Sequence, residues 1–158
     1  KRENGQTTEH DLTPDASIAA IWKLGVLDPS DPRVVSTMEQ LRDMLTVQTD
    51  IGGWARYTND YYHSKVSPTK EIPGNPWFIT TLWYAQWLIA IAKTKDDLSE
   101  ARSILEWTAD HASTSGILAE QMHPITGEPV SVGPLTWSHA TYVETVIQFA
   151  EKEEQLNA

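Results

Sequence analysis

The chain has 158 residues, with 12 Lys or Arg against 22 Asp or Glu, a formal charge of −10. So acidic a surface repels phosphate backbones and anionic lipid headgroups, which argues against nucleic acid and membranes as partners. There is no cysteine, so disulfides, thiolate metal sites and cysteine nucleophiles are excluded, and the compartment tilts slightly toward the cytoplasm. The chain opens on Lys1 without a signal peptide, and the natural start is expected upstream. Seven Trp stand beside only two Phe. Tryptophan offers an apolar face and an N–H donor, which suits sugar rings, although filling a helical core is its commoner use.

Residues 1–12 are polar and read as an entry segment, and residues 13–158 as one helical unit. Thr13-Pro14-Asp15 predicts a first helix with Thr13 as N-cap, carrying Ile18, Ile21 and Trp22 and ending at Gly25. Asp31-Pro32 starts a second helix. Its stripe of Val34, Val35, Met38, Leu41 and Leu45 opposes Glu39, Arg42 and Asp43. Residues 51–73 lack helical periodicity and predict a Gly-rich, aromatic loop. Asn75-Pro76 opens a third helix to about Ala92, apolar on every side. It is shorter than the ~20 residues a bilayer requires and contains Thr80, Thr81 and Gln86, so it is expected to be buried. Asp97-Leu98-Ser99-Glu100 has capping-box spacing and predicts a fourth helix reaching toward Gly116. A fifth begins at Leu135 or Thr136, carries Trp137, Ala140, Val143, Val146, Ile147 and Ala150, and gives way to a frayed tail from Glu151. Five helices without a convincing sheet define an all-α chain, with wetter helices alternating with more apolar ones.

Four segments carry a resemblance. They are Gly53-Trp54-Ala55-Arg56-Tyr57 with Asp60-Tyr61-Tyr62, then Gly74-Asn75-Pro76-Trp77-Phe78, then Ala119-Glu120-Gln121, and finally Leu135-Thr136-Trp137-Ser138-His139-Ala140. In order and spacing they resemble glycoside hydrolase family 15, the glucoamylase type. The resemblance implies that the five helices are the C-terminal part of an (α/α)6 barrel. It implies an inverting, exo-acting α-glucosidase that takes glucose from the non-reducing ends of α-glucans. Glu120 stands where that family keeps its general base, and Ser131 where a serine orients it. Arg56, Asp60, Tyr61, Trp77 and Trp137 match residues lining the glucose pocket. Trp22, Trp83, Trp87 and Trp107 are left to the core.

Two departures stand beside this. No counterpart of the family's general acid is present, so the remainder of the same enzyme is the expected partner and the chain alone is expected to be inactive. Residues 63–73 also lengthen a loop that is almost absent from fungal relatives. No cofactor is implied, and the unpaired spacing of the five His argues against a metal site. Trehalase and glucodextranase specificity remain open, as does a non-catalytic helical module that binds sugar or protein. An exposed apolar face would drive self-association of the chain by itself.

Overall fold

A computed structural model describes residues 2–7 and 11–157. The opening segment contains a small hairpin, β1 (Arg2–Glu3) with β2 (Gln6–Thr7). Asn4 and Gly5 both take positive φ between them, the geometry an Asn-Gly turn supplies. Residues 8–10 of the expected entry segment lie outside the described residues.

The first helix starts later than predicted. Asp15, not Thr13, is the N-cap: its carboxylate accepts from the Ser17 N–H at 2.8 Å. A 3-10 turn (Ala16–Ala19) then leads into α1 (Ala20–Lys23). Pro14 and Asp15 are held back as extended chain, because the Thr58 N–H donates to Pro14 O and the Ala16 N–H to Arg56 O. The second helix, α2 (Pro32–Leu45), is capped by Asp31 with Pro at its first position, as expected, and buries Val34, Met38, Leu41 and Leu45. The third, α3 (Phe78–Ile91), buries ten of its 14 residues. The fourth, α4 (Ser99–Asp110), ends well before Gly116. Its expected capping box does not form. The Asp97 carboxylate accepts from the N–H groups of Lys93 and Thr94, closing the preceding turn instead. A short hairpin, β3 (Gln121–Met122) with β4 (Pro129–Val130), precedes α5 (Thr136–Gln155), which continues through much of the expected frayed tail.

α3 is the centre of the arrangement, packed against α4 and α5 and, through Tyr84 and Trp87, against α2. Its three polar residues each hold a neighbour. Thr80 Oγ1 donates to Trp54 O, Thr81 Oγ1 accepts from the Trp54 N–H, and Gln86 Nε2 donates to Glu144 at 2.9 Å and Thr145 at 3.0 Å. Lys23 of α1 donates to Gln86 Oε1; burial lowers its ammonium pKa, and Glu144 at 3.9 Å offsets part of that.

At one end of the helices the chain is laced sideways by single-residue backbone pairs. Thr46 pairs with Trp54, Trp54 with Trp77, Trp77 with Gln121, and Gln121 with Val130 across the β3–β4 hairpin. Segments far apart in sequence are thereby set side by side at fixed separations.

α5 reverses the expectation for its packing. Its inward face is Ser138, Thr141, Thr145 and Phe149, while Trp137, Ala140, Val143, Val146, Ile147 and Ala150 are exposed. The small inward side chains allow α5 to lie close to α3, and the hydroxyls of Ser138 and Thr145 are satisfied. Ser138 donates to Ala119 O at 2.7 Å and Thr145 to Thr141 O at 2.6 Å. The apolar stripe of α5 is thus exposed among the described residues.

Gly53 tests how tightly the laced end is packed. Its φ is +78°, and an added Cβ would lie 2.7 Å from the Trp107 ring and 2.9 Å from Pro76 Cβ. Gly53→Ala in the complete polypeptide is expected to cost about 2 kcal/mol or more, from left-handed strain plus overpacking. Urea unfolding measures it, and an unchanged midpoint would show that this end yields easily.

Candidate active site

The laced end carries an open cavity of about 400 Å³ whose wall includes Arg56, Tyr62, Trp77, Trp83, Glu120 and Trp137. Residues of the 3-10 turn segment, α3, α5 and the connecting loops all contribute to it. Of the residues picked out by sequence, Glu120, Arg56, Trp77 and Trp137 come together here.

Arg56 is the most constrained of them. Its Nε donates to Asp60 Oδ2 at 3.0 Å and one terminal nitrogen donates to Asp60 Oδ1 at 2.9 Å and to the Tyr57 hydroxyl at 3.0 Å. The guanidinium lies 4.6 Å from the Tyr57 ring centre, 4.7 Å from Trp77 and 5.1 Å from Tyr62. Burial pulls its pKa down, but the hydrogen bonds and charge of Asp60 more than offset this and raise it overall. The second terminal nitrogen has no partner among the described residues, and Arg56 lines the cavity, so its N–H groups are available to hydroxyls of a ligand.

Asp60 is not on the wall. Its side chain is 1% exposed, and its oxygens are taken by Arg56 and by the Tyr62 N–H. Asp60 therefore fixes the orientation of the Arg56 guanidinium.

Two of the residues picked out by sequence stand apart from this cavity. Tyr61 is 70% exposed, and it is Tyr62 that lines the cavity, stacked at 6.1 Å on Trp77. Asn59 and His63 both take left-handed backbone, and the loop between them turns the second tyrosine inward. Ser131 is exposed, has φ of 65°, and lines a neighbouring cavity instead. The bond that the Glu120 carboxylate accepts comes from Gln121 Nε2, at 3.1 Å. Among the described residues, residue 120 is tied to the Ser131 region through its backbone, the Glu120 N–H donating to Val132 O at 2.9 Å.

Sequence reading missed four side chains at or beside the cavity. Trp83, assigned to the core, stands on the wall with its ring 5.9 Å from that of Trp137. Its place, between two buried turns of an all-apolar helix, carried no signal. Tyr62 and Gln121 lay inside the recognised segments, one residue from those chosen. Asp15 is another carboxylate on the wall, and it is engaged as the cap of the Ser17 N–H.

An all-α arrangement with its inner helices open on an aromatic cavity that holds a carboxylate and an anchored arginine is the build of a glycoside hydrolase. The chain belongs to the glycosyl hydrolases family 15, whose pattern matches residues 2–100 and 93–147. It is 32% identical over 143 residues to an uncharacterized glycosyl hydrolase of Methanocaldococcus jannaschii, covering 84% of this chain and 21% of that protein. It is 32% identical over 135 residues to a glucoamylase of Clostridium sp. (strain G0005), covering 82% and 18% respectively. The crystal structure of a bacterial glucoamylase complexed with acarbose superposes with a TM-score of 0.71 at 29% identity, over 87% of this chain and 20% of that one. The fold is therefore part of an (α/α)6 barrel, and the chain spans about a fifth of the length of these relatives.

Asp60→Asn keeps the shape but sets an amide against the arginine fork. It is expected to lower stability by about 2 kcal/mol, the scale of a hydrogen bond to a charged group. Denaturant unfolding of the complete polypeptide checks it, and no loss would mean that Arg56 does not depend on Asp60.

Proposed function

We propose that the chain is the C-terminal part of the catalytic domain of an inverting, exo-acting α-glucosidase of glucoamylase type, with Glu120 as general base. The observation that carries this reading is the shared cavity, where Glu120 faces the same space as the free end of the Arg56 fork and the Trp77 and Trp137 rings. A cavity of about 400 Å³ suits one terminal sugar unit. Arg56 donates to its hydroxyls, and the tryptophans cover its C–H faces. Water attacks the anomeric carbon, its proton passes to Glu120, and the bond to the leaving oxygen breaks. The leaving oxygen takes a proton from a carboxylic acid placed so that a water fits between the two groups, at roughly 6.5–9.5 Å.

That acid comes from the remainder of the polypeptide. Asp15 is occupied as a helix cap, and the relatives are about five times longer than this chain. The same remainder would cover the apolar outer stripe of α5. Among substrates, α-1,4-linked glucans lead, in keeping with the glucoamylases the chain is similar to. Trehalose or isomaltose-type linkages are the alternatives within the family. A non-catalytic sugar-binding module is the second reading, favoured by the lack of a free second carboxylate on the wall among the described residues.

In the complete polypeptide, Glu120→Gln is expected to lower kcat at least 100-fold while KM changes little, and wild-type enzyme to release β-glucose from maltotetraose by NMR. Release of the α-anomer would overturn inversion. Full activity in the variant would overturn the base assignment, and faster turnover of trehalose or isomaltose would move the specificity. Residues 1–158 alone are expected to bind without turnover and to self-associate. Glucose release by that piece, lost in Glu120→Gln, or a clean monomer by light scattering, would count against this picture.

A further inference from the structure

The carboxylate of Glu120 is reached by a chain of two buried amides that begins at a backbone carbonyl of the long loop. Asn75 Nδ2 donates to His63 O at 3.0 Å and to Gln121 Oε1 at 2.8 Å, and Gln121 Nε2 donates to Glu120 Oε2 at 3.1 Å. Asn75 is 2% exposed and Gln121 fully buried.

The direction of this chain follows from chemistry. A backbone carbonyl only accepts, so the end of Asn75 that faces His63 must be its NH2 group. That NH2 has a second hydrogen, and it can be satisfied only if Gln121 turns its oxygen toward it. Gln121 then has only its own NH2 to offer to Glu120. Reversing Gln121 would set nitrogen against nitrogen on one side and carbonyl against carboxylate on the other. One carbonyl thus decides which atom meets the carboxylate two side chains away.

The loop also holds that carbonyl in an uncommon conformation. His63 has φ of 53°, a left-handed backbone that a non-glycine residue adopts at some cost, with its ring edge-on to Tyr62 at 4.5 Å. Asn75 leaves its buried Oδ1 without a partner among the described residues.

We propose that Asn75 is a positioning residue that acts on Glu120 through Gln121, and that loop 61–73 sets the orientation of the base through it. The proposal rests on Glu120 being the general base. The loop is therefore more than a pocket rim: its backbone shares in aligning the water that the base activates.

The test is a double-mutant cycle in the complete polypeptide, with kcat and KM on maltotetraose and the unfolding midpoint for each variant. Asn75→Ala and Gln121→Met are each expected to lower kcat about tenfold or more, as small misplacements of a catalytic group do, with KM within about twofold. Combined, they should cost no more than Gln121→Met alone, because the first acts only through the second. Independent, multiplying losses, or a loss confined to KM, would overturn the proposal. If Asn75→Ala does not fold, the isosteric Asn75→Asp replaces it and the same non-additivity is expected. Glu120→Gln separates the two claims. If it retains activity, the base assignment falls; if it is inactive while Asn75→Ala keeps full kcat, only the relay falls.

Discussion

The site depends on the line of backbone pairs that joins Thr46, Trp54, Trp77, Gln121 and Val130. Helices that touch through side chains can slide or rotate by an ångström at little cost. A hydrogen-bonded backbone pair cannot, because both its distance and its register are set. Arg56 lies two residues beyond one rung, Trp77 is itself a rung, and Glu120 is one residue before another. The Trp77 N–H donating to Trp54 O at 2.8 Å and the Met122 N–H to Pro76 O at 2.9 Å hold these three positions in one frame. The helices supply the walls, and the lacing sets how the functional groups face one another.

Around that frame, Arg56 and the polar side chains of α3 are tied to neighbouring segments. Arg56 is anchored by a fully buried carboxylate and enclosed by three rings, so little rotamer freedom is left to lose on binding a ligand. Thr80, Thr81 and Gln86 lie within an otherwise apolar α3, and each is satisfied by a neighbouring segment. The price of burying them is offset by the tie each one makes.

α5 divides its faces unevenly between polar and apolar residues. A helix that turned its apolar stripe inward would make this piece a better isolated fold. Here Ser138, Thr141 and Thr145 face α3, and Val143, Val146 and Ile147 face out. That division suits a helix packed on two sides, closely on α3 through small residues and broadly on another layer through branched ones. The relatives, about five times longer, have chain enough to supply such a layer.

Much was legible in the sequence because it follows from local chemistry. The Asp31-Pro32 start of α2 and its buried stripe, the all-round apolar α3, and the start of α5 near Thr136 all follow from capping and periodicity. The family was readable from short segments at fixed spacing, and the same segments hold Glu120, Arg56, Trp77 and Trp137, which line one cavity. What tertiary structure alone decided were matters of facing. Tyr62 and not Tyr61 turns inward, Gln121 and not Ser131 meets Glu120, Trp83 reaches the cavity, and α5 presents its polar side to α3. Adjacent residues in a loop share nearly the same composition signal, and a helix carries no mark of which neighbour will claim which face. Those choices are made by hydrogen bonds between segments up to about 60 residues apart, and they exist only once the chain is folded.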